Sequence, residues 1–175
     1  MSSLRLFLFV ITVVATLGAN CVRAQQLPHG ASSISETYNE WTVSCRLVDG
    51  LKQCLLAHTQ ASNQTGQRIF GIELRTPKDG KTEGTILMPF GLKLDSGTTL
   101  KLDDKDLGQA LRFSTCVPRG CLVPVSLPTG ATDAMKKAKK LTVASLNLNG
   151  GDVIAFNVPL EGFAAATARV AELVK

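Results

Sequence analysis

The stretch that decides the fold is Trp41-Thr-Val-Ser-Cys-Arg-Leu-Val-Asp-Gly-Leu-Lys-Gln-Cys54. Apolar side chains alternate with polar ones from its first residue to Leu47, which is the pattern of a strand with one buried face. Asp49-Gly50 is a strong signal for a two-residue hairpin turn, because both central residues of such a turn need a positive φ. The stretch therefore predicts an antiparallel β-hairpin.

The register of this hairpin brings two cysteines together. Counting outward from the turn, Val48 faces Leu51, and three steps further Cys45 faces Cys54. The two cysteines then form a non-hydrogen-bonded pair, whose Cα atoms lie about 4.5 Å apart. Because disulfides span Cα distances of roughly 4.4–6.8 Å, this pair is predicted to be bonded.

A second cysteine pair lies in Phe113-Ser-Thr-Cys-Val-Pro-Arg-Gly-Cys121. Pro118 and Gly120 occupy the second and fourth positions that a type I turn favours. Cys116 and Cys121 flank this turn and can be bonded across it. We therefore expect a second local disulfide, which closes the tip of another hairpin.

The first 24 residues have the pattern of an export signal. Arg5 supplies a positive charge, residues 6–19 are almost uninterruptedly apolar, and Val22-Arg23-Ala24 suits a signal peptidase. The apolar run is shorter than the roughly 20 residues of a membrane span. We expect cleavage after residue 24 and no transmembrane span afterwards. The alternative is a lipidated Cys21.

Charge and cysteine count support an exported binding or structural protein. Loss of Arg5 and Arg23 would lower the formal charge from +5 to +3, which argues against a dedicated nucleic-acid binder. Loss of Cys21 would leave four cysteines of the five. An even number of cysteines in an exported chain indicates disulfides.

The rest of the chain predicts a mainly β protein. Residues 25–39 are polar and without periodicity, so they are expected to form a flexible leader, and residues 40–175 a single domain. Turn residues separate a series of short strands, which favours an antiparallel β-sandwich of immunoglobulin-like type. Two helical signals occur, a short one near 132–140 with lysines in its last turn and a C-terminal one over 162–175.

No catalytic, cofactor or metal site is expected. The chain has no G-x-S-x-G, H-E-x-x-H or Walker motif, and the cysteine spacings do not suit zinc. His58 is a lone candidate base, and it is interpreted as a structural or an exposed residue. Asp103, Asp104 and Asp106 alternate with lysines, which is typical of a solvated turn rather than a cation site.

Two sets of residues are candidate partner contacts. Pro118 and Arg119 form the tip of the second cysteine turn. The densest basic cluster of the chain can either contact an acidic partner or an anionic head group, or simply be solvated. It consists of Lys136, Lys137, Lys139 and Lys140. Phe90 follows Pro89 in a turn, and the sequence leaves open whether it is core or an exposed contact.

Four motifs follow one another along the chain. They are Trp41-x-Val43-x-Cys45, Leu87-Met-Pro-Phe-Gly91, Phe113-x-x-Cys116-x-x-x-Gly120-Cys121 and Leu160-x-Gly162-Phe163. Together they resemble the invasion-associated locus B family of Gram-negative bacteria, over roughly residues 38–170. The resemblance implies an exported, periplasmic or envelope-associated β-sandwich. In some pathogens the family is linked to invasion of host cells, notably erythrocytes, and it implies no known catalytic residue.

Two classes of function follow from these observations. The first is a non-enzymatic protein of the periplasm or envelope that binds an unknown envelope or host protein and serves host-cell invasion or stress survival. The second is a thiol-disulfide enzyme that uses Cys116 and Cys121. Redox-active pairs usually have C-x-x-C spacing at a helix N-terminus, whereas these two cysteines are further apart and lie between strand-like segments.

Overall fold

The computed structural model describes residues 26–75, 81–108 and 110–175. Within them the chain forms strands in two sheets and two α-helices. The strands are β1 (Ser33–Tyr38), β2 (Trp41–Val48), β3 (Leu51–Ala61), β4 (Arg68–Arg75), β5 (Thr82–Met88), β6 (Thr98–Leu102), β7 (Lys105–Asp106), β8 (Thr115–Val117), β9 (Gly120–Leu127), β10 (Lys140–Leu146) and β11 (Val153–Pro159). The helices are α1 (Thr129–Met135) and α2 (Phe163–Leu173).

Both sheets are antiparallel. The larger has the strand order β1-β2-β3-β4-β5-β9-β8, and the smaller has the order β11-β10-β6-β7. Consecutive strands β1 to β5 form a meander, which short turns allow because each strand pairs with its neighbour in sequence. The prediction of a mainly β fold with antiparallel sheets and two helices is confirmed.

The hairpin of β2 and β3 forms as the sequence predicts. Asp49 and Gly50 have φ values of 51° and 75°, so both adopt the left-handed conformation that a two-residue turn requires. Val48 pairs with Leu51 and Cys45 with Cys54. The alternation of buried and exposed residues along β2 therefore directs one face of the hairpin into the core.

The core lies between the two sheets and under α2. Phe70 on β4 stacks on Phe156 of β11 with ring centroids 4.7 Å apart, so the smaller sheet covers this part of the larger one. The C-terminal helix α2 packs on β1, β2 and β3. Trp41 is fully buried there, 4.9 Å from Phe163, and its Nε1 donates a hydrogen bond to the carbonyl oxygen of Pro159 at 2.9 Å.

The predicted flexible leader requires correction. Residues 33–38 form β1, which pairs with β2 along its whole length, and Leu27 is only 2% exposed. The polar sequence concealed this strand because it lies at the edge of the sheet, where its core-facing residues are only half buried. One of them, Glu36, is paired with Arg169 of α2.

The short helix near 132–140 also requires correction. Helix α1 begins at Thr129, directly after Pro128, and ends at Met135. The lysines therefore follow the helix instead of forming its last turn. The backbone amides of Lys139 and Lys140 donate to the carboxylate of Asp103, with N···Oδ1 distances of 3.1 and 2.9 Å. These hydrogen bonds hold the backbone at the point where β10 begins. The predicted C-terminal helix is confirmed as α2.

The expected signal segment, residues 1–24, lies outside the described residues, as does the alternative lipid site at Cys21. The stretch Lys78-Asp79-Gly80, whose sequence predicts a turn, lies outside them too. In the part of the chain that is described, neither helix is long and apolar enough to cross a membrane.

Candidate functional site

The two predicted disulfides are both present. Cys45 is bonded to Cys54 with a Cα–Cα distance of 4.1 Å, and Cys116 to Cys121 with a distance of 3.9 Å. The first bridge is buried in the core, whereas in the second Cys121 is buried and Cys116 is exposed. The local pairing expected from turn geometry is therefore confirmed, and the second bridge lies at the surface.

The second bridge closes the hairpin of β8 and β9. Val117 pairs with Gly120, so Pro118 and Arg119 form a two-residue tip, and both are exposed. Gly120 has a φ of 140°, and a Cβ atom there would collide with the carbonyl oxygen of Met88 on β5. The glycine lets the hairpin approach β5 closely and fixes the position of its tip.

Exposed apolar side chains surround this tip. Phe90 follows β5 at the same end of the sheet, and its side chain is 59% exposed. The structure thus settles the question that the sequence left open, because this phenylalanine is not a core residue. The amide of Leu148 donates to the carbonyl oxygen of Gly91 at 2.9 Å, which brings a second exposed apolar side chain beside it.

A cavity of about 430 Å³ is lined in part by Cys116, which is an exposed residue. Leu94, which is 44% exposed, and Phe113 contribute apolar lining, and Arg112 and Asp95 contribute charge. We call the exposed residues around the hairpin tip and this cavity the tip surface. The tip surface consists of Phe90, Leu94, Pro118, Arg119 and Leu148.

The basic cluster lies at the other end of strand β9. The lysines follow α1, which follows the last residue of β9, whereas the hairpin tip precedes its first residue. Eight residues of extended chain span roughly 25 Å. The structure therefore does not bring the two predicted contact sets together. The set that lies away from the tip is Lys136, Lys137, Lys139 and Lys140.

Two of these lysines have acidic partners. Lys136 pairs with Asp133 at 2.9 Å, and Lys140 approaches Asp104 at 3.7 Å. The ammonium of Lys136 lowers the pKa of the Asp133 carboxyl by a hydrogen bond and by its charge. These ion pairs reduce the positive potential that the lysines present to a partner. Because the lysines also lie away from the hairpin tip, they are not part of the tip surface.

The aspartate-rich turn has a structural role. Asp103 and Asp104 form the turn between β6 and β7 with φ values of 45° and 70°. The carboxylate of Asp103 accepts hydrogen bonds from the backbone amides of residues 139 and 140, where β10 begins. Oδ1 of Asp106 accepts a hydrogen bond from the amide of Gly108 at 3.2 Å. Among the described residues no group of three or more His, Cys, Asp and Glu side chains is arranged to hold a metal ion.

His58 is enclosed in the core. It is 3% exposed, and Nδ1 lies 3.0 Å from the carbonyl oxygen of Glu40. Gln60 directs its Nε2 to His58 Nε2 at 3.1 Å and to the carbonyl oxygen of Asn157 at 2.7 Å. Both ring nitrogens are therefore engaged in contacts that join β3 to the turn before β2 and to β11. This arrangement leaves neither nitrogen directed at solvent.

One polar cluster was missed by sequence reasoning. Arg169 on α2 donates to Glu36 on β1 through two nitrogens, each at 2.8 Å, and to Glu172 at 3.1 Å. The hydroxyl of Tyr38 also donates to Glu36 at 2.8 Å. Hydrogen bonds from the Arg169 guanidinium and then from this hydroxyl lower the pKa of the Glu36 carboxyl. The hydrogen bond to Glu36 in turn raises the pKa of Tyr38.

Comparison with known proteins assigns the family. The model of the invasion associated locus B (IalB) protein family matches residues 41–171. The chain belongs to the invasion-associated locus B family. The four motifs and the two disulfides that indicated the resemblance all lie within the matched residues.

Relatives of this invasion-associated locus B protein cover nearly its whole length. An invasion protein B homolog of Brucella abortus (strain 2308) is 42% identical over 167 residues, which is 95% of this chain and 94% of the relative. Invasion protein B of Bartonella bacilliformis is 30% identical over 151 residues, or 85% of this chain and 81% of the relative.

A solved structure of the same family has the same fold. The crystal structure of invasion associated protein B from Bartonella henselae superposes with a TM-score of 0.75 at 26% identity. The match covers 80% of this invasion-associated locus B chain and 96% of the solved one. The fold described above is therefore shared with this solved relative.

Proposed function

We propose that this invasion-associated locus B protein is exported to the periplasm or envelope and acts by binding a partner protein, not by catalysis. The partner is an envelope or host protein, and the tip surface is the contact. The proposed role is in host-cell invasion, which the relatives named as invasion proteins support, or else in survival of stress. The apolar N-terminal stretch with its small-residue end supports export.

Phe90 is the observation on which the proposal rests. Its side chain is 59% exposed, although the backbone of the turn that carries it is paired with neighbouring segments before and after Phe90. Met88 pairs with Cys121 on one side, and Gly91 accepts the amide of Leu148 on the other. Because the backbone that carries this side chain is already ordered, a partner that buries the ring need not pay for ordering the turn.

The neighbours of Phe90 suit an interface. Aromatic residues and arginine are enriched where protein partners meet, and they provide most of the binding energy. Arg119 lies on the disulfide-closed tip. Leu94 shares the cavity lining with Cys116, and Leu148 is hydrogen-bonded to Gly91, next to Phe90. The tip surface thus combines an aromatic anchor, a cation and an apolar surround in one place.

Affinity capture with matched variants tests the proposal. Protein purified after export is immobilised and exposed to solubilised envelope extract of the same cells and, separately, to host-cell membrane extract. We expect one discrete partner that binds the natural protein and is lost with Phe90→Ala combined with Arg119→Ala. Lys137→Ala with Lys139→Ala serves as control, and an equal loss there would contradict the proposed contact.

A further inference from the structure

The outer face of the larger sheet carries a second groove. Its volume is about 440 Å³, and it crosses β1, β2, β3 and β4 on the face that points away from the core. Ser35 pairs with Ser44, and Ser44 pairs with Leu55, so these three side chains form one row across the groove. This row places two hydroxyls and one apolar side chain on an otherwise open sheet surface.

Two arginines flank the row. Arg46 on β2 and Arg75 on β4 both line the groove, and β3 lies between them. Arg75 lies opposite Leu55 at the end of the row, and Arg46 lies two residues along β2 from Ser44. Two strand spacings and this offset separate their backbones by roughly 12 Å. Neither guanidinium has a hydrogen bond or an ion pair to any residue that the structure describes, in contrast to Arg169, which is fully engaged. Two arginines without partners therefore face one groove.

The remaining polar groups define what the groove would accept. Gln53 pairs with Arg46 across the strands and offers both a donor and an acceptor. Glu73 also lines the groove and can only accept hydrogen bonds when ionised. A simple inorganic anion satisfies the arginines but offers nothing to Glu73. A ligand with anionic groups and several hydroxyls satisfies all of them, and its apolar ring face can pack on Leu55.

From this arrangement we infer that the groove binds an acidic saccharide, meaning a short sugar chain that carries carboxylate or sulfate groups. Arg46 and Arg75 bind two anionic groups spaced along the chain, since guanidinium forms paired hydrogen bonds with such groups. Ser35, Ser44 and Glu73 bind sugar hydroxyls. The groove and the tip surface share no residue, so a negative result at one site leaves the proposal for the other unchanged.

A titration followed by NMR tests the inference directly. Isotope-labelled protein, purified after export, is titrated with a heparin-derived tetrasaccharide, with maltotetraose and with inorganic sulfate. We expect the acidic tetrasaccharide to shift the amide signals of residues 33–35, 44–46, 53–55 and 73–75. Maltotetraose and sulfate should each bind at least about tenfold more weakly. Maltotetraose lacks the anionic groups, and sulfate lacks the sugar hydroxyls and the ring.

Matched variants separate a specific site from general attraction of polyanions. Arg46→Ala with Arg75→Ala should weaken tetrasaccharide binding at least about tenfold. Lys137→Ala with Lys139→Ala removes the same charge elsewhere and should change binding less than about twofold. Unchanged binding in the arginine variant, equal loss in the lysine variant, or signal shifts centred on the lysines would overturn the inference. Equally tight binding of sulfate alone or of maltotetraose would overturn it as well.

Discussion

Glu36 on the edge strand β1 and Arg169 on the C-terminal helix α2 form a bidentate ion pair in which both N···O distances are 2.8 Å. The two residues are far apart in sequence and join the first strand to the last helix of the described chain. Both side chains are partly exposed, at 29% and 28%. The pair therefore positions the helix on the sheet edge more than it stabilises the fold, because partly exposed ion pairs contribute little free energy.

The first prediction concerns the pH dependence of this pair. Because the pKa of Glu36 is lowered from its ordinary value of 4.5, the folded protein holds the carboxylate ionised more readily than the unfolded chain. The stabilisation is thus fully present above about pH 4.5 and is lost as the pH falls through the lowered pKa.

Thermal unfolding of the natural protein and of Glu36→Gln tests whether the stabilisation by the ion pair is lost as the pH falls. The difference in Tm should be largest near neutral pH and should shrink as the pH falls below about 4.5. Arg169→Gln should show the same trend. A difference that grows towards acid pH would contradict the assigned charge state.

The second prediction compares two phenylalanines. Phe163 is fully buried against Trp41, whereas Phe90 is 59% exposed. Phe163→Ala should lower the free energy of unfolding by about 3–5 kcal/mol, because it leaves a cavity under α2. Phe90→Ala should change it by less than about 0.5 kcal/mol. Trp41 is the only tryptophan of the chain, so its fluorescence in urea titrations reports both values.

These comparisons show what sequence patterns can and cannot determine. The β2–β3 hairpin and both disulfides were predictable, because turn chemistry and cysteine spacing act over a few residues. Strand β1 was not, because its core-facing Glu36 is neutralised by a residue of the last helix. The end of α1 was missed for the same kind of reason. The amides of Lys139 and Lys140, which the sequence assigned to the helix, donate instead to Asp103, which is distant in sequence.

In the candidate site, too, features set by neighbouring residues were predictable and features set by contacts distant in sequence were not. Pro118 and Arg119 could be selected from the sequence, since the tip of a two-residue turn is exposed. The exposure of Phe90 could not, because it depends on how the turn after β5 meets the loop that contains Leu148. The outer groove was also not foreseen. Arg46 and Arg75 lie on different strands, and only the register of β3 brings them to one face.

The third prediction concerns two glycines. Gly120 combines a φ of 140° with a close approach to the Met88 carbonyl oxygen. Gly120→Ala should therefore destabilise the protein by about 2 kcal/mol or more, through backbone strain and overpacking. Gly130 lies in α1 with open space around it, so Gly130→Ala should be neutral or slightly stabilising. Equal losses of stability in the two variants, measured by urea denaturation, would contradict this account of the hairpin.

The fourth prediction concerns the buried disulfide. Cys45→Ala with Cys54→Ala should lower the free energy of unfolding by about 2–3 kcal/mol, as expected for a short closed loop. Peptide mapping of the natural protein without reduction should recover Cys45 linked to Cys54 and Cys116 linked to Cys121. A peptide that links Cys45 to Cys116 would refute the local pairing.

The fifth prediction separates binding from thiol chemistry. The Cys116–Cys121 bridge lies between two strands of a sheet, where no helix dipole of the described chain activates a thiol. Its reduction potential should lie below about −300 mV, the range of structural bridges. The protein should show no insulin reduction. Activity that is present and disappears in Cys116→Ser would establish the enzymatic alternative.

The central claim is that Phe90 contacts a partner. A photo-crosslinking amino acid is placed in living cells at position 90 and, as a control, at position 51. Leu51 is the matched site, since it is 62% exposed against 59% for Phe90 but begins β3, next to the β2–β3 turn at the other end of the sheet. We predict a discrete crosslinked product from position 90 and none from position 51. No product from position 90, or the same products from both positions, would contradict the account.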